Sequence, residues 1–133
     1  MRQGYRVWDT HTHLGDALHS GRSMPAEVLL RLMDDEGIER ALAIPFPVVA
    51  SHRASHDLIA EACRTWPDRF TGCACIHPHI PLEEFHNELA RCVEVLGFRA
   101  LKLQPQYQPL NPLSPRSDFF FEAAQRWKLP VVV

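Results

Sequence analysis

With 133 residues, 46% of them apolar and 23% charged, the chain has the composition of one ordinary globular domain, which sets aside disorder and fibrous structure. Its 14 Lys and Arg against 16 Asp and Glu leave a formal charge of −2, and the basic residues are scattered, so nucleic acid is not expected as a partner. No run approaches the roughly 18 apolar residues of a membrane helix, and residues 1–5 are too polar for a secretory leader, so no membrane partner is expected either.

Residues 7–14 read as the first buried strand. Side chains alternate along a strand, so Asp9, His11 and His13 are expected on one face and Trp8, Thr10 and Thr12 on the other. Two imidazoles on one face can converge on one ion. Zinc takes imidazole nitrogen and, in catalytic sites, keeps one position open, so His11 and His13 are candidate metal ligands that need further ligands from elsewhere.

Residues 20–25 read as a loop, with Ser23 as N-cap and Pro25 in the first turn of a helix over 25–36. Val28, Leu29, Leu32 and Met33 form its apolar face and Gly37 closes it. Residues 40–44 are a short apolar strand stopped by Pro45-Phe46-Pro47. Leu58, Ile59, Ala62, Cys63 and Trp66 mark a second helix that Pro67 ends, and 70–76 is a third strand. A third helix runs over about 82–96 with Phe85, Leu89, Cys92, Val93 and Leu96 on one face. Residues 98–103 are a fourth strand, 105–115 a proline-rich loop, Phe120, Ala123, Ala124 and Trp127 a fourth helix, and 130–133 a fifth strand.

Apolar strands alternating with helices indicate a parallel α/β sheet. An open doubly wound sheet that binds a nucleotide wants a glycine-rich first turn, and only Gly15 follows the first strand. A TIM-type (β/α)8 barrel places its chemistry at the C-terminal ends of strands, where His11, His13, His77 and Gln104 fall. The expected fold is therefore that barrel, with residues 1–133 supplying the first four β/α units and strand five as the N-terminal part of a single domain. A whole barrel needs about 250 residues, so the missing half comes from a longer chain or from another copy in a homo-oligomer.

Several polar residues compete for roles at that end. Lys102 shares a face with Ala100 and Gln104 and points into the barrel, as a substrate-contacting or internally paired cation, a carboxylated bridging ligand, or a snorkelling structural residue. Gln104 and Tyr107, in the loop after the fourth strand, are candidate substrate contacts, as is His77 at the end of the third. His19 follows the first strand and can reach substrate; His52, His56 and His86 sit on helical segments and read as surface residues. Cys73, Cys75, His77 and His79 alternate in one frame but span roughly 20 Å, too far for one ion. Cys63, Cys73, Cys75 and Cys92 lack Cys-x-x-Cys spacing and read as reduced core thiols of a cytoplasmic protein.

Asp9-x-His11-x-His13 is followed by Gly37-Ile38-Glu39-Arg40-Ala41, by Trp66-Pro67-Asp68-Arg69-Phe70 and by Gly97-Phe98-Arg99-Ala100-Leu101-Lys102-Leu103. In this order the segments resemble the metal-dependent amidohydrolase superfamily, in its amidohydrolase-related branch, which includes aminocarboxymuconate semialdehyde decarboxylase. The resemblance covers nearly all of the chain. It implies a (β/α)8 barrel with one divalent metal, usually zinc, and it makes His11 and His13 the strand-one ligands. The branch's other metal and catalytic residues, a histidine after strand five, a histidine on strand six and an aspartate on strand eight, are expected beyond Val133. The implied activity is hydrolysis of a small-molecule amide, ester, lactone or carboxylate through a metal-activated water, with decarboxylation as the alternative. Two rivals stand beside it: a metal-dependent phosphoesterase barrel, and a non-catalytic truncated barrel that self-associates.

Overall fold

The computed structural model describes residues 4–133; residues 1–3, at the polar start of the sequence, lie outside the described part. The elements in chain order are β1 (Trp8–Asp16), β2 (Ser23–Met24), α1 (Ala26–Glu36), β3 (Arg40–Pro45), α2 (His52–Thr65), β4 (Phe70–Cys75), α3 (Leu82–Glu94), β5 (Ala100–Lys102), α4 (Asp118–Arg126) and β6 (Val131–Val132). Local chemistry accounts for most boundaries. Gly37 ends α1 in the left-handed region at φ 68°, and Ser51 caps α2 by accepting the Ala54 N–H. Each helix turns an apolar stripe inward: Leu29 and Met33 on α1, Ile59 and Ala62 on α2, Phe85 and Leu89 on α3, Phe120 and Ala124 on α4.

One boundary differs from expectation. Ser23 does not cap α1; it pairs with Asp16 in a two-residue antiparallel strand, and Pro25 takes the N-cap position with no side-chain bond. The chain turns at Gly21 (φ 65°) and folds back onto the end of β1 before the helix starts.

The sheet runs β2-β1-β3-β4-β5-β6; from β1 onward every neighbouring pair is parallel, and apart from the short antiparallel β2 the strands follow one another in chain order. A doubly wound sheet reverses its winding to cover both faces with helices. Here the main core joins all four helices to Ala41, Ala43, Phe70, Ala74, Ile76, Leu101 and Leu103 on one face. The apolar cluster on the other face is Ile44, Cys73, Cys75, Ala100 and the flanking Leu42, with no helical residue among them. Helices on one side and unidirectional winding make this a partial (β/α)8 barrel whose second face is the barrel interior.

Candidate metal centre

β1 is irregular where it matters. Asp9 pairs with Ala41 and Thr12 with Ala43, so three residues on β1 oppose two on β3: a β-bulge. Paired residues of a parallel ladder share a face. Asp9 therefore lies on the helix-side face with Ala41, whereas His13, paired with Ile44, lies on the interior face. Strict alternation, which put Asp9 beside both histidines, fails at this bulge. The Asp9 carboxylate instead accepts the His11 backbone N–H at 2.9 Å, and Thr12 donates its hydroxyl to the Leu42 carbonyl at 2.8 Å, so two side chains hold the bulge in shape.

The bulge still leaves the two rings together. The His11 and His13 centroids are 5.2 Å apart, edge to face. Two imidazoles that each hold one ion at about 2.0–2.1 Å have ring centres about 5 Å apart at a tetrahedral angle, so the pair fits a shared divalent ion. His13 Nδ1 lies 3.1 Å from the Pro45 carbonyl and donates to it, which orients the ring and leaves Nε2 as the free ligand atom. Phe46 stacks on the same ring at 5.1 Å. The Pro45 carbonyl thus fills the orienting role beside this ring. Both imidazoles are held below the usual histidine range. For His13 the main cause is burial, with the His11 and Lys102 charges adding to it against the Pro45 bond; for His11 it is burial and Lys102 against Asp9. Both shifts favour the neutral ring, the form that binds a metal.

A cavity of about 230 Å³ opens at this end of the sheet, lined by His11, His13, His19, Arg22, Gln104 and Tyr107 among others. His11, His13, Gln104 and Tyr107 thus meet in one place, as their positions after strands predicted. His19, ring to ring with Tyr107 at 4.3 Å, joins them from the β1–β2 turn. His77 does not line this cavity: its backbone N–H donates to His52 Nε2, its Nδ1 accepts the His79 N–H, and its ring packs on His79. Lys102 is fully buried on the interior face, in register with Cys75 and one rung below Gln104.

Two residues that hold this region together were not singled out in the sequence, or were read otherwise. Gln108, fully buried, accepts the Gln104 N–H and donates to the Pro47 carbonyl, tying the loops after β5 and β3. Nothing marks it in a proline-rich stretch. His56, read as a surface residue, is fully buried: Nδ1 donates to Glu88 at 2.7 Å and Nε2 accepts the Cys75 N–H at 3.1 Å. It lies on the buried side of α2 beside Ile59 and Ala60, and the apolar count of that helix overlooked it because a histidine was scored as polar. His56, Glu88 and Cys92 also bring one ligand atom each within 4.8 Å of one another, but both His56 nitrogens are already used in hydrogen bonds.

A model of the amidohydrolase family matches residues 8–133. The chain belongs to the amidohydrolase family. Among curated proteins it is similar to gamma-resorcylate decarboxylase of Rhodococcus jostii, 36% identical over 54% of this chain and 25% of that enzyme. Among solved structures it is similar to 5-carboxyvanillate decarboxylase of Novosphingobium aromaticivorans with bound manganese, at TM-score 0.73 and 18% identity over 98% of this chain and 51% of that one. A dihydroxybenzoic acid decarboxylase of Polaromonas with bound manganese and an inhibitor, 2-nitroresorcinol, matches at TM-score 0.73 and 22% identity, over 95% of this chain and 48% of that one. At those identities the structures establish the fold alone. The chain spans about half the length of these structures and a quarter of the curated relative. Among the described residues no helix is long and apolar enough to cross a membrane.

Proposed function

We propose that this chain is the N-terminal, metal-binding half of a metal-dependent barrel enzyme that acts on a carbonyl or carboxylate carbon of a small molecule. The observation that carries the reading is the His11–His13 pair, gathered on β1 with His13 turned by Pro45 so that Nε2 is free. A divalent ion held there supplies Lewis-acid polarisation of the substrate oxygen and an acidified water. The chain's own part is positional: the bulge sets the rings, Gln104 and Tyr107 reach the same cavity as substrate contacts, and Lys102 lies two residues before Gln104 on the interior face. Zinc suits the imidazole donors; manganese, present in the two decarboxylase structures, is its competitor. Hydrolysis of an amide, ester or lactone is one outcome of this chemistry. Decarboxylation is the second, and the similarity to gamma-resorcylate decarboxylase favours it. The barrel interior and the open β6 edge are covered in this reading by the rest of the barrel or by another copy. Four free cysteines, three of them buried, support a cytoplasmic setting.

Metal titration tests the centre. The wild-type protein is expected to take up one zinc or manganese ion per chain, and His11→Ala or His13→Ala to lose stoichiometric binding, while both variants keep the wild-type circular dichroism spectrum. Uptake that is unchanged in His13→Ala removes this reading.

A further inference from the structure

Gln108 lies in a loop, is fully buried, and joins the ends of three strands through its side-chain amide. Its Oε1 accepts the Gln104 N–H at 3.1 Å after β5, while Nε2 donates to the Pro47 carbonyl at 3.2 Å after β3 and to Sγ of Cys75, the last residue of β4, at 3.5 Å. The bond to Pro47 falls on the segment that governs His13. The Pro45 carbonyl receives the His13 Nδ1–H, and the Phe46 ring stacks on that imidazole, 17° from parallel. Residues 45 and 47 are both proline, so neither has an N–H with which to anchor the segment to its neighbours. Anchors reach it from outside: the Gln108 amide at Pro47 and the Leu18 N–H at Val48, 3.0 Å from the carbonyl oxygen. Gln108 also closes the turn that carries the two candidate substrate contacts, since its backbone N–H donates to the Gln104 carbonyl at 2.7 Å with Tyr107 inside the turn.

We infer that Gln108 is a positioning residue of the metal centre, fixing the Pro45-Phe46-Pro47 segment and through it the orientation of the His13 ring. The inference rests on the reading of His11 and His13 as metal ligands and adds to it the residue that sets one of them. Pro45 holds His13 as the Nδ1–H tautomer with Nε2 bare, and outer partners of this kind are typically worth about 10- to 100-fold in metal affinity. A segment that loses its anchor lets both the carbonyl and the Phe46 ring shift, and the imidazole regains its other tautomer. The Gln104 N–H and the Pro47 carbonyl lose their partner in the same step. Glutamine suits position 108 because a donor and an acceptor are needed at once, which neither a carboxylate nor a hydrocarbon of that length offers.

Magnetic resonance of protein carrying nitrogen-15 in its histidine rings reads the tautomer directly, and of the eight histidines His13 is the one whose signal His13→Ala removes. In metal-free wild type it is expected as the Nδ1–H form. Gln108→Met keeps the length and bulk of the side chain and none of its hydrogen bonds. It is expected to turn His13 into a mixture of both tautomers and to weaken zinc binding at least about tenfold, with one ion per chain still taken up. Gln108→Asn, one carbon shorter, is the second variant should the first not fold, and the same change in His13 is expected. Leu110→Ala is the control: it removes a buried side chain from the same loop and none of these bonds, so it is expected to lower the melting temperature and leave the His13 tautomer and the zinc affinity as they are. A His13 signal that stays Nδ1–H in the folded Gln108 variants, a zinc affinity that does not fall, or an equal change in Leu110→Ala overturns the inference. The tautomer is read without metal, so a wild-type protein that takes up no zinc removes the reading of the pair as ligands and leaves the role of Gln108 to be decided by the His13 signal.

Discussion

A Gly72→Ala variant is expected to lose about 3 kcal/mol of folding stability, near the upper end of the usual cost of overpacking a core. Gly72 lies in the middle of β4 opposite Ala43, and a Cβ there would sit 2.3 Å from Cδ1 and 2.5 Å from Cε1 of Phe98. Those are backbone-to-ring distances that no side-chain rotation at residue 72 relieves. The ring has little freedom to retreat. Phe98 is fully buried, its N–H is bonded to the Cys92 carbonyl at 2.8 Å, and its ring packs T-shaped against His56 with centroids 5.7 Å apart. Moving Phe98 therefore presses on the imidazole that accepts the Cys75 N–H. Urea denaturation measures the loss, and Phe98→Leu in the same protein is expected to return part of it, since the two sites share one volume. A midpoint unchanged by Gly72→Ala alone shows that the ring has room and that the glycine is there for another reason.

The alternation of apolar strands and helices was legible because each segment carries its own period and its own stop signal. The 82–96 helix stripe, Gly37 after α1 and the prolines after β3 and α2 are local features, and they appear where local reasoning placed them, within two residues. The barrel also followed from local facts, namely the lack of a glycine-rich first turn and the gathering of polar residues after strands. What was not legible depends on partners distant in sequence. The β1 bulge is set by pairing with Ala41 and Ala43 some thirty residues on, and nothing in Asp9-Thr10-His11-Thr12-His13 announces it. The outcome kept the two histidines together and moved Asp9 off the face it was expected to share with them. Pro45, read only as a strand stop, orients the His13 ring through its carbonyl. Gln108 and His56 were passed over for the same reason: each is a polar residue whose burial is offset by partners from other elements.

Glu88→Gln is expected to lower stability at neutral pH by roughly 3 kcal/mol and to flatten the acid limb of the unfolding curve. Burial pushes the Glu88 carboxyl up, but hydrogen bonds from His56 and Arg91 and the Arg91 charge outweigh it and hold the pKa at about 2, against an ordinary 4.5. A folded-state pKa below the unfolded one means that the unfolded chain binds the proton more readily as pH falls. The stabilisation is therefore complete above about pH 4.5 and is lost as pH drops toward 2. A shift of that size corresponds to roughly 3 kcal/mol at about 1.4 kcal/mol per pH unit, and Glu88, with its side chain 13% exposed, is shielded from most solvent screening. Glutamine keeps an oxygen to accept the His56 Nδ1–H and keeps the volume, so the variant isolates the charge from the packing. Wild type should then lose stability between pH 4.5 and 2 while the variant changes little over the same window; parallel curves sink the assignment. The effect should also reach the sheet. His56 links Glu88 on α3 to the Cys75 N–H at the end of β4, and Cys75 is the register partner of Lys102, so a loosened His56 frees that strand end on the interior face.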